Sequence, residues 1–252
     1  MERLRLKSAH IVTSRKELST LPKGKLLINT VNAHSYNVAQ TDERFNEALQ
    51  SHVLVPDGMS IVKACRWLKA VSQPTERISG WDLFCHEMEQ LQAMVPSDGS
   101  ATGGKRPKVM FLGSSTEVLN RIVERIKTDF PAFDIATFSP PYKPEFSQED
   151  TRMMLEKINT EQPDLLWIGM TAPKQEKWAH EHIDEMNITC HVGTIGAVFD
   201  FLAGTVKRAP LWWQRHGLEW LYRLLAEPRR MWRRYLLGNP LFVYYMLREK
   251  LS

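Results

Sequence analysis

The sequence predicts an α/β fold, a mainly parallel sheet flanked by helices, followed by a helical C-terminal appendage. Two observations predict the core: short apolar runs of β type recur six times along the chain, and segments with helical spacing separate them. A third predicts the appendage, because cationic and aromatic residues crowd into the last fifth of the chain.

The apolar runs fall at residues 25–29 (KLLIN), 52–55 (HVLV), 108–113 (KVMFLG), 134–138 (DIATF), 164–170 (DLLWIGM) and 189–193 (TCHVG). Between them, TEVLNRIVERIKTDF sets Val118, Ile122, Ile126 and Phe130 at steps of four, which predicts an amphipathic helix. SQEDTRMMLEKIN opens on Ser147 followed by Asp150, a capping-box pattern with Asp in place of the usual Glu or Gln. Both segments read as crossover helices joining parallel strands. Residues 96–107 (PSDGSATGGKRP) are rich in Gly, Ser and Pro without apolar periodicity, and predict a flexible loop dividing two α/β halves. The expected division is a core at 1–206 and an appendage at 207–252.

The appendage holds ten Lys or Arg against Glu219, Glu227 and Glu249, a local charge of +7, so the rest of the chain carries −3 of the total +4. Positive charge is therefore local. No apolar run reaches the roughly 18 residues needed to span a bilayer, and the N-terminus has no secretory apolar segment, so a cytoplasmic location is expected. Cys65, Cys85 and Cys190 lack metal-ligand spacing and read as reduced residues. Neither DxD nor HExxH occurs, and His180 and His182 would point apart on a helix, so neither metal nor cofactor is expected. GxSxG is missing as well, which leaves a serine hydrolase without support.

In an open α/β sheet, ligands gather at the carboxyl ends of strands. There Asp57 follows an apolar run and precedes Gly58, which suits a general base, although Pro-Asp-Gly is equally a turn sequence and Asp a helix cap. Thr30 and Asn32 end the first run with short polar groups that suit either a ligand or a cap. Gly113, Ser114 and Ser115 offer weak phosphate-binding signals, since no GxGxxG or GxxxxGK[ST] pattern is present. The stretch 169–176 brings Gln175, able to hold a sugar or base, behind Pro173 at an expected N1 position.

In the tail, Pro228 should begin a helix with Arg229, Arg230, Arg233 and Arg234 on one side and Met231, Trp232, Tyr235 and Leu236 on much of the other. That segregation predicts an interfacial helix against an anionic membrane surface; a helix packed on the sheet with a solvated basic face is the alternative. No nucleic-acid partner is expected, because no recognisable nucleic-acid fold accompanies the patch.

Together the strand ends resemble the WecG/TagA/CpsF family of bacterial glycosyltransferases. The matching pieces are Asn29-Thr30-Val31-Asn32-Ala33, Pro56-Asp57-Gly58, Ala172-Pro173-Lys174-Gln175-Glu176-Lys177-Trp178, Phe199-Asp200-Phe201-Leu202-Ala203-Gly204, Lys207-Arg208-Ala209-Pro210 and Gly217-Leu218-Glu219-Trp220-Leu221-Tyr222-Arg223-Leu224, in family order. The resemblance implies a Rossmann-like core with an appendage that completes the active site and docks on the bilayer. It also implies an inverting transfer, at the inner face of the cell membrane, from a UDP-sugar to a polyprenyl-diphosphate-linked saccharide. The donor sugar would be glucose, N-acetylmannosamine or its uronic acid. Asp57 would be the general base with Thr30 in the same pocket and Asn32 beside it. Among substrate-binding groups, Gln175, Lys207, Arg208, Arg215 and Arg223 would join Asn32, leaving Arg229, Arg230, Trp232, Arg233 and Arg234 to the membrane. A homo-oligomer is compatible with the sequence. The alternative from another class is a noncatalytic, nucleotide-binding membrane adaptor, whereas a dinucleotide dehydrogenase is disfavoured by the missing GxGxxG.

Overall fold

The computed structural model describes residues 2–95 and 106–251. Most of the stretch expected to form a flexible loop, 96–107, thus lies outside the described residues. In chain order the elements are α1 (Arg15–Leu18), β1 (Leu26–Val31), α2 (Ala33–Ala39), α3 (Glu43–Gln50), β2 (Val53–Pro56), α4 (Met59–Leu68), α5 (Gly80–Ala93), β3 (Lys108–Gly113), α6 (Thr116–Asp129), β4 (Asp134–Phe138), α7 (Gln148–Glu161), β5 (Leu165–Gly169), α8 (Lys174–His182), β6 (His191–Thr194) and α9 (Gly196–Leu202). The tail continues as α10 (Leu211–Arg215), α11 (Glu219–Ala226), α12 (Pro228–Trp232), a π-helical turn (Arg233–Leu237) and α13 (Gly238–Leu251). All six expected strands form and make one parallel sheet in the order β2-β1-β6-β5-β3-β4.

The chain divides into two compact units. The first comprises Met1–Thr20, Thr30–Ser79 and Lys207–Ser252, the second Leu21–Asn29 and Gly80–Val206, so β1 runs from the second into the first. The tail, Lys207–Ser252, is not a unit of its own; it groups with residues 1–20 and 30–79.

Packing within the first unit explains why. Phe242 and Met246 of α13 are buried in a core with Val31, Tyr36, Phe45 and Ile61. The Phe242 ring meets Tyr36 edge-on at 5.5 Å. Glu249, also buried, accepts hydrogen bonds from the Tyr36 hydroxyl at 2.8 Å and from the Lys7 backbone N–H at 2.5 Å. Asn37 of α2 donates to the Gly238 carbonyl at 2.7 Å, which ties α2 to the start of α13. Burying two large apolar side chains contributes about 1.5–3 kcal/mol each.

In the second unit, β3 and β5 are buried along almost their whole length, as strands covered on both faces must be. Trp167 is fully buried and lies over Gly193, where a Cβ would come within 2.2 Å of its ring, so only glycine fits there. Helix α6 buries Leu119, Ile122 and Ile126 rather than the expected row, since Val118 stays half-exposed; the inward stripe follows the spacing i, i+3, i+7. The capping box of α7 forms as expected: Ser147 Oγ accepts from the Asp150 N–H at 3.2 Å, and Asp150 Oδ2 accepts from the Ser147 N–H at 2.8 Å. Pro173 is the N-cap of α8, one place earlier than N1.

Truncating the ring that anchors the tail should show this dependence. Phe242→Ala is expected to destabilise the protein by about 3–5 kcal/mol, read by urea or guanidinium unfolding. A change within experimental error would mean that α13 does not contribute to the core.

Candidate active site

The carboxyl ends of β1 and β2 lie side by side, tied by the Asp57 N–H donating to the Val31 carbonyl at 2.8 Å. Thr30, half-buried, is the penultimate residue of β1, and Asn32 follows the strand. The Asn32 side chain has two duties. Its Oδ1 accepts from the His34 and Ser35 N–H groups at 3.0 and 3.1 Å, capping α2, and Ser35 Oγ accepts in return from the Asn32 N–H at 2.7 Å. Its Nδ2 donates to Asp57 Oδ2 at 3.3 Å. The capping and ligand readings of Asn32 are thus not alternatives, because one amide fixes the helix start and the carboxylate together.

Asp57 itself caps nothing. Gly58 occupies the N-cap of α4 with φ +140°, a backbone conformation that a side chain would strain, and so leaves the Asp57 carboxyl available. Protein crowds this carboxyl while the residue keeps partial solvent access. Burial pushes its pKa above the ordinary carboxylate range, and the charge of Glu219 adds to that. Arg77, Arg223 and the Asn32 hydrogen bond oppose the shift.

Two of the three charges acting on Asp57 here, Glu219 and Arg223, come from the tail. Glu219 at the start of α11 holds Arg77, in the segment before α5, with Oε2 and Nη1 2.8 Å apart and both side chains under a fifth exposed. Arg223, one turn along α11, lies 4.0 Å from Glu219 Oε1. Arg234 in the π-helical turn is largely buried and acts on Asp57, Tyr235, Arg223 and Arg230; its Nε is buried without a hydrogen-bond partner. Burial lowers its pKa. Burial, helped by the Arg234 charge, brings His34 down to about 4, so this imidazole is neutral near pH 7.

These positions correct the expected grouping of the tail arginines. Arg229, Arg230 and Arg233 are exposed, Arg230 pairing with Glu227 at 2.7 Å and Arg233 lying 5.2 Å over the Trp232 ring, whereas Arg234 turns inward. Pro240 gives a physical reason. It has no N–H for the Leu236 carbonyl and its ring crowds that group, and the wide turn at 233–237 relieves the conflict while shifting the side-chain register.

The remaining expected site residues are dispersed. Lys207 is exposed and Arg208 half-buried in the segment before α10. Arg215 ends α10, and its side chain falls outside the described residues. Gln175 belongs to the second unit, is buried, and uses its amide there: Oε1 accepts from the Met170 N–H at 2.9 Å and Nε2 donates to Glu176 Oε1 at 2.8 Å. Ser115, in the weak phosphate signal, caps α6. Among the described residues no three His, Cys, Asp or Glu side chains form a metal-binding group. Arg77 and His34 gave no sequence signal as site residues, and Glu219 gave only one: it is an acid inside a strongly cationic segment.

Comparison with known proteins places the chain in a family. The glycosyl transferase WecG/TagA/CpsF family matches residues 6–252. The chain is similar to the N-acetylglucosaminyldiphosphoundecaprenol N-acetyl-beta-D-mannosaminyltransferase of Bacillus spizizenii, 32% identical over 230 residues, covering 90% of this chain and 80% of the relative. The proteins of the same name from Bacillus subtilis and Staphylococcus aureus are 29% and 28% identical, over 89% of this chain and 80% and 81% of theirs. With nearly its whole length matched, the chain belongs to the WecG/TagA/CpsF family and is a glycosyltransferase.

Proposed function

We propose that this glycosyltransferase inverts the anomeric carbon of a sugar of the N-acetylmannosaminyl class, moving it from a UDP-linked donor to N-acetylglucosaminyl-diphospho-undecaprenol or a close analogue. The observation that carries the reading is the Asp57 carboxyl: raised by burial, reachable by a substrate, aimed by Asn32 and free of any capping duty. The names of the relatives support the sugar and acceptor classes.

In the reaction, Asp57 takes the proton of the acceptor hydroxyl as its oxygen attacks the anomeric carbon. The bond to the donor diphosphate breaks on the opposite face, and its electron pair leaves on UDP. One carboxylate suffices, since a single displacement needs no second acid or base on the sugar. Arg77, Arg223 and Arg234 supply the positive charge that the departing diphosphate requires. Thr30, near the carboxyl end of β1, is assigned to the same pocket, and Lys207 and Arg208 to the donor's phosphates.

The acceptor is a lipid, so the protein should work at a membrane surface. No described helix is long and apolar enough to cross a bilayer. The exposed Trp232, Leu236, Leu237, Leu241, Tyr244 and Leu247 instead form an apolar strip, flanked by Arg229, Arg230, Arg233 and Arg248, that suits peripheral docking on the cytoplasmic leaflet.

Asp57→Asn tests the base. Release of UDP in the presence of UDP-N-acetylmannosamine and lipid-diphosphate N-acetylglucosamine should fall about 10²–10⁴-fold, and near-normal turnover would sink the assignment. The same variant should melt higher than the parent at neutral pH. A carboxyl whose pKa is raised on folding contributes stability only while protonated, and that contribution is lost as pH rises through the folded value. The gain should therefore vanish below about pH 4, the unfolded carboxylate range.

For the membrane reading, reversing the charge of Arg229, Arg230 and Arg233 to Glu is cleaner than deleting the tail, because α13 is part of the core. Sedimentation with vesicles containing anionic lipid should weaken by about 1 kcal/mol or more per residue, and unchanged binding would overturn docking through this face.

A further inference from the structure

We propose that Glu219, from the C-terminal tail, is a positioning residue for the transfer: its carboxylate fixes the Arg77 guanidinium and sets one opposing negative charge among the cations that surround Asp57. The inference deepens the reading of Asp57 as the base and rests on it.

The geometry comes first. Glu219 and Arg77 lie 142 residues apart in sequence yet make a direct contact at 2.8 Å, with side chains only 19% and 17% exposed. The second oxygen of Glu219 lies 4.0 Å from Arg223 Nε. An acid placed at the start of α11 only to complement the helix dipole would do so equally well in solvent. A half-buried pair, by contrast, loses hydration on both partners and need not stabilise the fold, which points to the placement of charge as its purpose.

The charged groups that act electrostatically on Asp57 are Arg77 from the segment before α5, Glu219 and Arg223 from α11, and Arg234 from the π-helical turn. His34 of α2 faces Arg234 and is neutral. Glu219 is the one anion of this set. Three guanidinium groups unopposed would hold Asp57 ionised at low pH and make it a weak acceptor for a sugar hydroxyl proton. With Glu219 present, Asp57 stays basic while the cations remain in place for the diphosphate. A single carboxylate thus reconciles two opposed demands on the site, strong basicity at Asp57 and strong positive charge at the leaving group.

The test is the pH dependence of kcat/KM for transfer from UDP-N-acetylmannosamine to a short-chain lipid-diphosphate N-acetylglucosamine. It compares the parent with Glu219→Gln, Arg77→Gln, the double variant and Asp57→Asn, folding being checked by circular dichroism. In Glu219→Gln the ascending limb should move about one pH unit lower, and the plateau should fall about threefold or more as the base weakens. Arg77→Gln should move the limb upward. Adding Glu219→Gln to it should bring the limb back down by about one unit, and this second comparison gives the answer even if Glu219→Gln alone leaves Arg77 stranded and fails to fold. A limb that stays put when Glu219 is neutralised in either background, while Asp57→Asn loses activity, would overturn the role of Glu219 and leave the base intact. An ascending limb and turnover retained in Asp57→Asn would instead overturn the base reading, and the inference with it.

Discussion

Everything at the site follows from one carboxylate being kept partly out of water. Asp57 sits where β2 ends, crowded by protein and acted on by both cations and an anion, and its raised pKa is the sum of that conflict. In water an aspartate would be a poor base for a sugar hydroxyl; burial makes it a better one by disfavouring the charged form. The same burial strengthens each charge around it, because the interaction of two charges grows as the surrounding dielectric falls. Hence the placement of Arg77, Glu219, Arg223 and Arg234 matters far more than the net charge of the tail that supplies three of them.

That placement depends on the tail being part of the fold. Helices α11 and α12 and the π-helical turn bury few side chains themselves: α11 and the turn have none in the buried class, and α12 has only Met231. What fixes them is α13 beyond, which seats Phe242 and Met246 in the core and closes on Glu249 with Tyr36 and Lys7. The chain is thus held at its far end and at Arg77–Glu219, and the segment between carries the inward arginines. A tail held only by surface ion pairs, worth about 0–1 kcal/mol each, could not aim guanidinium groups at a buried acid.

Much of this was legible in the sequence, and the limits have physical causes. The six strands were visible because buried parallel strands are nearly continuous apolar runs, and their ends named Asp57 and Asn32 at once. The helix face of α6 was misplaced by one residue because a four-residue step drifts around a helix that repeats every 3.6. Gln175 looked like a ligand-binding amide, but buried amides are also used to tie loops, and nothing local separates the two uses. Arg77 was invisible because its partner lies 142 residues away. Arg234 was misassigned because an α-helical wheel cannot show the π turn that Pro240 favours.

The arrangement also explains how such a site is tolerated. Asp57 raised and Arg234 with a buried, unpartnered Nε are each unfavourable locally. They sit together in one unit, and that unit also contains the apolar core closed by α13. These local costs and the apolar burial that offsets them therefore lie in one compact unit. The basic, aromatic tail is for this reason not simply a sticky surface appended to an enzyme. Its outward arginines face solvent, its inward ones act on Asp57, the proposed base, and the residues that decide between the two are apolar.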